Sequence, residues 1–220
     1  TMPHGSRINP QGTRMYSACM MDDRLVEIDT RTFRVARQFG VAEGAEGPVD
    51  PTDEHAGHHM EGMGTGSGHA MTPTCSPTWA EPSADGSLVY VACNRADHVL
   101  EIDTGTWAVT RRFETGRAPY NLEATADGRL LVVTLKGGAA VQFFDLATGE
   151  ALATTPSSTT VTHGVVASPD SRYAFVSVEG VGAEPGKVDI YDLRSFQRVA
   201  DVEVGQQAGG IGFWKMEPAR

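Results

Sequence analysis

The stretch 12-GTRMYSACMMDDRLVEIDTRTFRV-35 decides the fold, because the chain contains a second copy of it. Residues 86–109, GSLVYVACNRADHVLEIDTGTWAV, align with residues 12–35 without gaps at an offset of 74 residues. An internal repeat of this kind is the first sign of a modular architecture. The identical positions include Tyr16 and Tyr90, Ala18 and Ala92, Cys19 and Cys93, and the run EIDT at 27–30 and 101–104.

Two further copies set the period of the repeat. A third copy, GRLLVVTLKGGAAVQFFDLATGEA, begins at Gly128, 42 residues after Gly86, and a fourth begins at Ser171, a further 43 residues on. Each copy alternates apolar and polar residues between turns such as SADG and TADG, which is typical of half-buried antiparallel strands. Four such strands in about 42 residues indicate one propeller blade. The predicted fold class is therefore all-β, a β-propeller of four-stranded antiparallel blades.

The segments YSAC and YVAC, each followed by EIDT, resemble the YVTN-type β-propeller repeat. Cys19 and Cys93 stand where that repeat has Asn. The resemblance implies a bacterial propeller, usually seven-bladed, in the periplasm, secreted or at the cell surface. The chain itself opens with TMPHGS, which is not a signal peptide. Function does not follow from the resemblance, because propellers host binding, scaffolding and catalysis alike.

The repeat divides residues 1–220 into about four blades and one leftover strand. Because the chain both starts and ends on an inner strand, we expect the last strand to close a first blade whose outer strands lie outside this sequence. In a seven-bladed protein about 110 residues would then precede Thr1; the alternative is a small four-bladed ring with an extra strand. The predicted blades are 3–39, 77–115, 119–156 and 162–204, the closing strand is 208–218, and an insert occupies 40–76.

The unusual residues map to one rim of the predicted propeller. Strands alternate in direction within a blade, so the start of the inner strand, the end of the second and the start of the third share a rim. The insert connects two blades at that rim. All seven histidines and all three cysteines map there, with His98 expected at the surface.

Residues 53–71, DEHAGHHMEGMGTGSGHAM, form a His/Met-rich segment without Leu, Ile, Val or aromatic residues. Imidazole and thioether ligands favour copper, with zinc as the alternative. The segment resembles the Met/His-rich segments of bacterial periplasmic copper-handling proteins; the competing interpretation is a disordered Gly-rich spacer. The candidate metal ligands are His55, His58, His59, Met60, Met63, His69 and Met71 in the segment, together with His4 and His163, which share one repeat position at the mouth of the central channel.

Three interpretations of the cysteines stay open. They form a disulfide, remain unreactive thiols, or bind a metal as thiolates. An extracytoplasmic location favours the disulfide. In that case Cys75 and Cys93, which belong to one blade, are the expected pair, and Cys19 is a buried thiol.

Composition and motifs narrow the function. The formal net charge of −10 argues against a nucleic-acid partner, and no apolar run reaches the ~18 residues of a transmembrane segment. No nucleophile elbow, P-loop or HExxH motif is present, so no catalytic residue is assigned. We therefore predict metal sequestration, delivery or sensing rather than turnover. The alternatives are a scaffold whose partner protein docks on the insert-bearing rim, and a metal-dependent, lactonase-like hydrolase.

Overall fold

A computed structural model describes residues 2–50 and 72–217. Within those ranges the chain forms seventeen β-strands and no helix that could span a membrane. The strands form four antiparallel sheets, each paired in chain order. The sheets are β1 (Pro3–Ile8), β2 (Arg14–Cys19), β3 (Arg24–Asp29), β4 (Arg34–Gly40) and β5 (Gly47–Val49); β6 (Pro77–Pro82), β7 (Leu88–Cys93), β8 (His98–Asp103) and β9 (Ala108–Glu114); β10 (Pro119–Ala124), β11 (Leu130–Leu135), β12 (Ala140–Asp145) and β13 (Ala151–Pro156); and β14 (Val161–Ala167), β15 (Tyr173–Glu179), β16 (Lys187–Asp192) and β17 (Gln197–Glu203).

The four sheets are propeller blades, which confirms the predicted fold class. The inner strands β1, β6, β10 and β14 contact one another in chain order. Apolar side chains of neighbouring blades share a core, which removes both faces of the second and third sheets from water and one face of the first and fourth. In the core between the first two blades, Tyr16, Leu25 and Phe39 pack with Val91 and Leu100.

The turn after each third strand depends on an Asp. The Asp103 Oδ1 atom accepts hydrogen bonds from the backbone N–H groups of Gly105 at 2.9 Å and Thr106 at 2.6 Å. The Thr106 N–H bond is the largest cause that lowers the pKa of Asp103. Asp29, Asp145 and Asp192 occupy the same repeat position and bond to their own turns. These carboxylates therefore form turns and belong to the scaffold.

Three blades also bury a carboxylate in the middle of the third strand. Each faces an arginine on the fourth strand, because a buried charge is stable only with a partner. The pairs are Arg37 Nη2–Glu27 Oε2 at 2.8 Å, Arg111 Nε–Glu101 Oε1 at 3.5 Å and Arg198 Nη1–Asp189 Oδ1 at 4.0 Å.

Two segments differ from the predicted division. Strand β5 lies inside the predicted insert and extends the first sheet at its outer edge, where it pairs with β4. Pro48 is tolerated there because an edge strand leaves one side unpaired. The closing strand predicted over 208–218 is not a strand within its described residues 208–217, because no described residues form a ladder with it.

Candidate functional site

Each inner strand begins with a register irregularity at the upper rim, the end of the sheets where the inner strands start. A β-bulge at such a point re-aims the side chains within it. The irregularities place His4, Tyr120 and His163 together at the channel mouth. They lie between Pro3 and Ser6, Pro77 and Trp79, Pro119 and Leu122, and Thr162 and Val165.

Glycine follows both histidines because the next stretch of chain packs directly against the backbone. A Cβ atom on Gly5 would lie 2.1 Å from Trp79 Cε3. A Cβ atom on Gly164 would lie 3.0 Å from the Ser177 hydroxyl and 3.1 Å from the Gly209 carbonyl oxygen. The His-Gly pairs at 4–5 and 163–164 therefore mark a close approach between successive inner segments.

A side chain of each blade is hydrogen-bonded to a backbone carbonyl at the start of the next inner segment along the chain. The acceptors are Thr78, Tyr120, His163 and Gly209, so Gly209 takes the position of the first residues of a fifth inner strand. The bonds run from His4 Nδ1 to Thr78 at 2.7 Å, from Thr78 Oγ1 to Tyr120 at 2.7 Å, from Thr134 Oγ1 to His163 at 2.7 Å and from Ser177 Oγ to Gly209 at 3.0 Å.

Tyr120 lies between the two histidines. Its hydroxyl is 2.8 Å from His4 Nε2, and its ring centroid is 4.5 Å from that of His163. A carbonyl oxygen only accepts, so His4 Nδ1 carries a proton toward the Thr78 carbonyl, and Nε2 accepts from the Tyr120 hydroxyl. Burial raises the pKa of Tyr120, and the Glu179 carboxylate adds to the shift, which keeps the hydroxyl a donor. Both nitrogens of His4 are thus engaged.

Lys136 and Glu179 complete the channel-mouth cluster of His4, Tyr120, His163, Lys136 and Glu179. The Lys136 ammonium lies 4.1 Å from the Tyr120 ring centroid, a cation–π distance. His163 Nε2 lies 3.3 Å from Glu179 Oε1. Burial lowers the pKa of His163, Lys136 lowers it further, and Glu179 opposes both. The buried Nδ1 atom of His163 has no hydrogen-bond partner among the described residues.

A second polar cluster on the inner strands was missed by sequence reasoning. Arg7 Nε lies 3.2 Å from Glu81 Oε2, and Arg7 Nη2 lies 3.4 Å from Glu123 Oε2. Burial raises the pKa of Glu81 well above its ordinary value and also raises that of Glu123. One arginine thus serves two buried carboxyl groups. The sequence does carry a signal for this cluster, because its three residues share one repeat position. Arg7, Glu81 and Glu123 lie three residues after His4, Thr78 and Tyr120, respectively.

The predicted metal ligands are only partly described by the structure. His4 and His163 are brought to one cluster, but Tyr120 separates them and bonds to His4. Within residues 2–50 and 72–217, no group of three His, Cys, Asp or Glu is placed to hold a metal ion. Metal binding therefore stays a prediction. The other seven predicted ligands lie outside the described residues: His55, His58, His59, Met60, Met63, His69 and Met71.

The return end of the insert is held firmly to the rim. Asp23 accepts hydrogen bonds from the backbone N–H groups of Thr74 and Ser76, both at 2.6 Å. Cys75, between them, is bonded to Cys93, which confirms the expected disulfide. As predicted for that pairing, Cys19 is a buried free thiol.

The expectation for His98 was wrong. It is only 4% exposed rather than at the surface. The physical reason is that β8 begins inside the interface with the first blade, where the neighbouring sheet covers it.

Known proteins share this architecture. Residues 66–211 match the YNCE-like β-propeller family. The chain is 30% identical over 131 residues to the seven-bladed β-propeller protein Rv1057 of Mycobacterium tuberculosis, a match that covers 58% of this chain and 32% of the relative. Hydrazine synthase of Kuenenia stuttgartiensis is similar at a TM-score of 0.73 and 18% identity, over 92% of this chain and 49% of that one, which shows the fold alone.

The chain thus spans about a third of the length of the curated relative and about half of the solved one. The specific likeness to the YVTN repeat remains an expectation. The family match covers well over half of the residues. The chain belongs to the YNCE-like β-propeller family.

Proposed function

We propose that this propeller binds a soft metal ion through the His/Met-rich segment, with copper as the first candidate and zinc as the alternative. One observation carries the proposal: four imidazole and three thioether side chains fall within residues 53–71, a stretch that offers no apolar core residue other than Met and Ala. Thioether and imidazole together favour copper, because the softer ligand binds zinc poorly.

The anchoring of the segment supports the proposal. Its return end continues into residues 74–76, which Asp23 and the Cys75–Cys93 disulfide hold to the rim. A ligand-rich segment with a fixed end loses less conformational entropy on wrapping an ion than a free tail does.

The channel mouth supplies supplementary ligands in this proposal. His163 is the better of the two candidates, because its Nδ1 has no hydrogen-bond partner among the described residues. His4 binds a metal only by giving up its bond with the Tyr120 hydroxyl. We assign the segment the primary role and the two histidines a secondary one.

We also propose an extracytoplasmic location, in the periplasm, secreted or at the cell surface. The buried Cys75–Cys93 disulfide supports it, because such bonds persist in oxidising compartments. Sequestration, delivery or sensing of copper fits a site built on a segment rather than in a preformed catalytic pocket with an open coordination position.

The test is a Cu⁺ titration against a competing chelator, without thiol or phosphine reductants, on three forms of the chain. The first is the wild type. The second replaces the four segment histidines by Gln and its three methionines by Leu. The third is the matched control His4→Gln/His163→Gln, which leaves the segment intact. We expect the affinity to fall about a hundredfold in the segment variant and less than tenfold in the control.

Two results would count against the proposal. The wild type could bind no Cu⁺ in competition with the chelator, which ends the metal hypothesis for the segment. The segment variant could bind as tightly as the wild type while the control loses binding, which moves the site to the channel mouth.

A further inference from the structure

A second group of soft ligands lies at the upper rim of the second blade. Cys93 ends β7 and His98 begins β8, directly opposite each other in the ladder. Side chains of such partners project from the same sheet face, with Cβ atoms about 4.5–5.5 Å apart. Cys75 joins the group through its bond to Cys93, the two Cα atoms being 4.4 Å apart.

This group faces the first blade and is shielded from water. Val91 and Leu100, the next pair on the same sheet face, belong to the core shared with Tyr16 of the first blade. Cys75 and Cys93 lie in that same core. The three side chains therefore share a buried corner between two blades, where they form no metal site while the Cys75–Cys93 bond is intact.

His98 has an unsatisfied nitrogen in this corner. Its Nδ1 lies 3.1 Å from the Ala96 carbonyl oxygen, which only accepts, so Nδ1 carries the proton. The Nε2 atom then presents a lone pair, and it is buried without a hydrogen-bond partner. A buried acceptor left without a partner is costly. A neutral imidazole whose other N–H is held by a carbonyl is also the state in which histidine binds metals.

We infer that reduction of the Cys75–Cys93 bond turns this corner into a Cys₂His site for a soft or borderline divalent cation such as Zn²⁺. A dithiol is oxidised to its disulfide and gives up its two protons, or a phosphine is oxidised to its oxide with the oxygen and two protons of water; the two electrons break the S–S bond and the two protons give two thiols. Each thiol loses its proton as its sulfur binds the ion, and His98 Nε2 supplies the third ligand. Two thiolates neutralise a divalent charge, as a buried site requires.

The site is specific to the second blade. In the first blade the equivalent partners are Cys19 and Arg24, and a guanidinium repels a cation. In the third and fourth blades the equivalent pairs are Leu135 with Ala140 and Val178 with Lys187, which offer no ligand. The inference does not rest on the proposed function, since none of its three residues belongs to the His/Met-rich segment or the channel-mouth cluster.

The test uses Co²⁺ as a spectroscopic probe on the whole chain. The chain is first reduced anaerobically with a phosphine until three free thiols are counted, because it has three cysteines. The reductant is then removed and Co²⁺ is titrated. We expect a single equivalent to bind with a thiolate-to-cobalt charge-transfer band, Zn²⁺ to displace it, and the oxidised chain to show no band. His98→Gln should weaken binding about tenfold or more, and Cys75→Ser should roughly halve the band.

Cys19→Ser is the matched control, because it removes a thiol outside the corner and should leave the band unchanged. The segment variant described above separates the two proposals: it should lose Cu⁺ binding and keep the cobalt–thiolate band. The inference is overturned if the reduced wild type shows no band, if His98→Gln and Cys75→Ser leave it unchanged, or if the segment variant abolishes it. Circular dichroism of the oxidised His98→Gln chain verifies that its fold is intact.

Discussion

The first two blades repeat one pattern at an offset of 74 residues, yet their rims carry different chemistry. Tyr16 and Tyr90 are both buried in the cores between blades. At the rim, by contrast, the first blade pairs Cys19 with Arg24, and the second pairs Cys93 with His98. The core tyrosine and the rim cysteine are the same in both blades, whereas the residue that faces the cysteine from the third strand differs. The chemistry of the two rims therefore differs through that residue.

The largest difference between the two blades is expected at Phe33 and Trp107, which share one turn position and a positive φ of 54°. Trp107 is 6% exposed, lies under the Arg37 guanidinium at 3.9 Å and donates to the Gln38 carbonyl at 3.0 Å. Phe33 is 84% exposed. Trp107→Ala should lower the free energy of unfolding by about 3–5 kcal/mol, and Phe33→Ala by less than about 0.5 kcal/mol.

Urea denaturation followed by circular dichroism measures both changes. The backbone conformation is the same at the two positions, so each variant serves as the control for the other. Equal losses would show that the contact between Trp107 and the first blade contributes nothing to stability.

The next difference concerns the cysteines. The Cys75–Cys93 bond closes a loop with a sequence separation of 18, and a loop of that size restricts the unfolded chain by about 3 kcal/mol. The free energy of unfolding of the double variant Cys75→Ala/Cys93→Ala should therefore be lower by about 3 kcal/mol. Cys19→Ala removes a buried thiol without a crosslink and should lose about 1 kcal/mol. The measurement is urea denaturation without reductant, and a double variant as stable as Cys19→Ala would contradict it.

Asp23 and Asp97 form a third pair, both in the left-handed region with φ of 47° and 53°. Asn tolerates that conformation, so Asp→Asn tests the carboxylate alone. Asp23 accepts from Thr74 and Ser76 with different oxygens, whereas Asp97 Oδ1 accepts from Ala118 at 2.7 Å.

An amide keeps one acceptor oxygen, so Asn at position 23 loses one of the two bonds, whereas Asn at position 97 keeps its bond but loses the charge. Asp23→Asn should therefore lower the free energy of unfolding by about 2 kcal/mol and Asp97→Asn by about 1 kcal/mol. Thermal unfolding of both variants under one buffer condition measures the order. The reverse order would show that the return end of the insert is not held by Asp23.

The fold could be predicted from sequence because its signals are local and repeated. The alternation of apolar residues and the Asp of each turn act within a few residues, and four copies reinforce one another. The same register predicted that His4 and His163 share one repeat position at the channel mouth. The expectation of a disulfide followed from the resemblance and its implied compartment, and the choice of Cys75 and Cys93 followed from their place at the same rim of one blade.

The rest of the site depends on distances between blades, which no local pattern encodes. The bond from Tyr120 to His4 exists because bulges turn both side chains toward each other. His98 is buried because the first blade covers the start of β8, a fact invisible within one repeat. To predict the Arg7–Glu81–Glu123 cluster, one position would have to be compared across the inner strands, and those strands would have to be known to lie side by side.

The smallest difference is expected where Arg7 of the first blade stands opposite Glu81 of the second. Burial raises the pKa of Glu81, so the folded state holds a proton that the unfolded state releases above a pH of about 4.3. The unfolded state then binds fewer protons, and wild-type stability falls as pH rises. Gln carries no such proton. Glu81→Gln should therefore match the wild type near pH 4 and exceed it by about 1 kcal/mol at pH 8.

The control variant is Glu114→Gln, because Glu114 belongs to the same blade but is exposed to water. Denaturation of the three proteins between pH 4 and pH 8 yields the stability difference at each pH. A difference for Glu81→Gln that does not grow with pH would mean that Arg7 keeps Glu81 ionised in the fold. In that case the inner strands would carry a permanent ion pair of the kind formed by Glu27 and Arg37 between the third and fourth strands of the first blade, and the contrast between the two places would disappear.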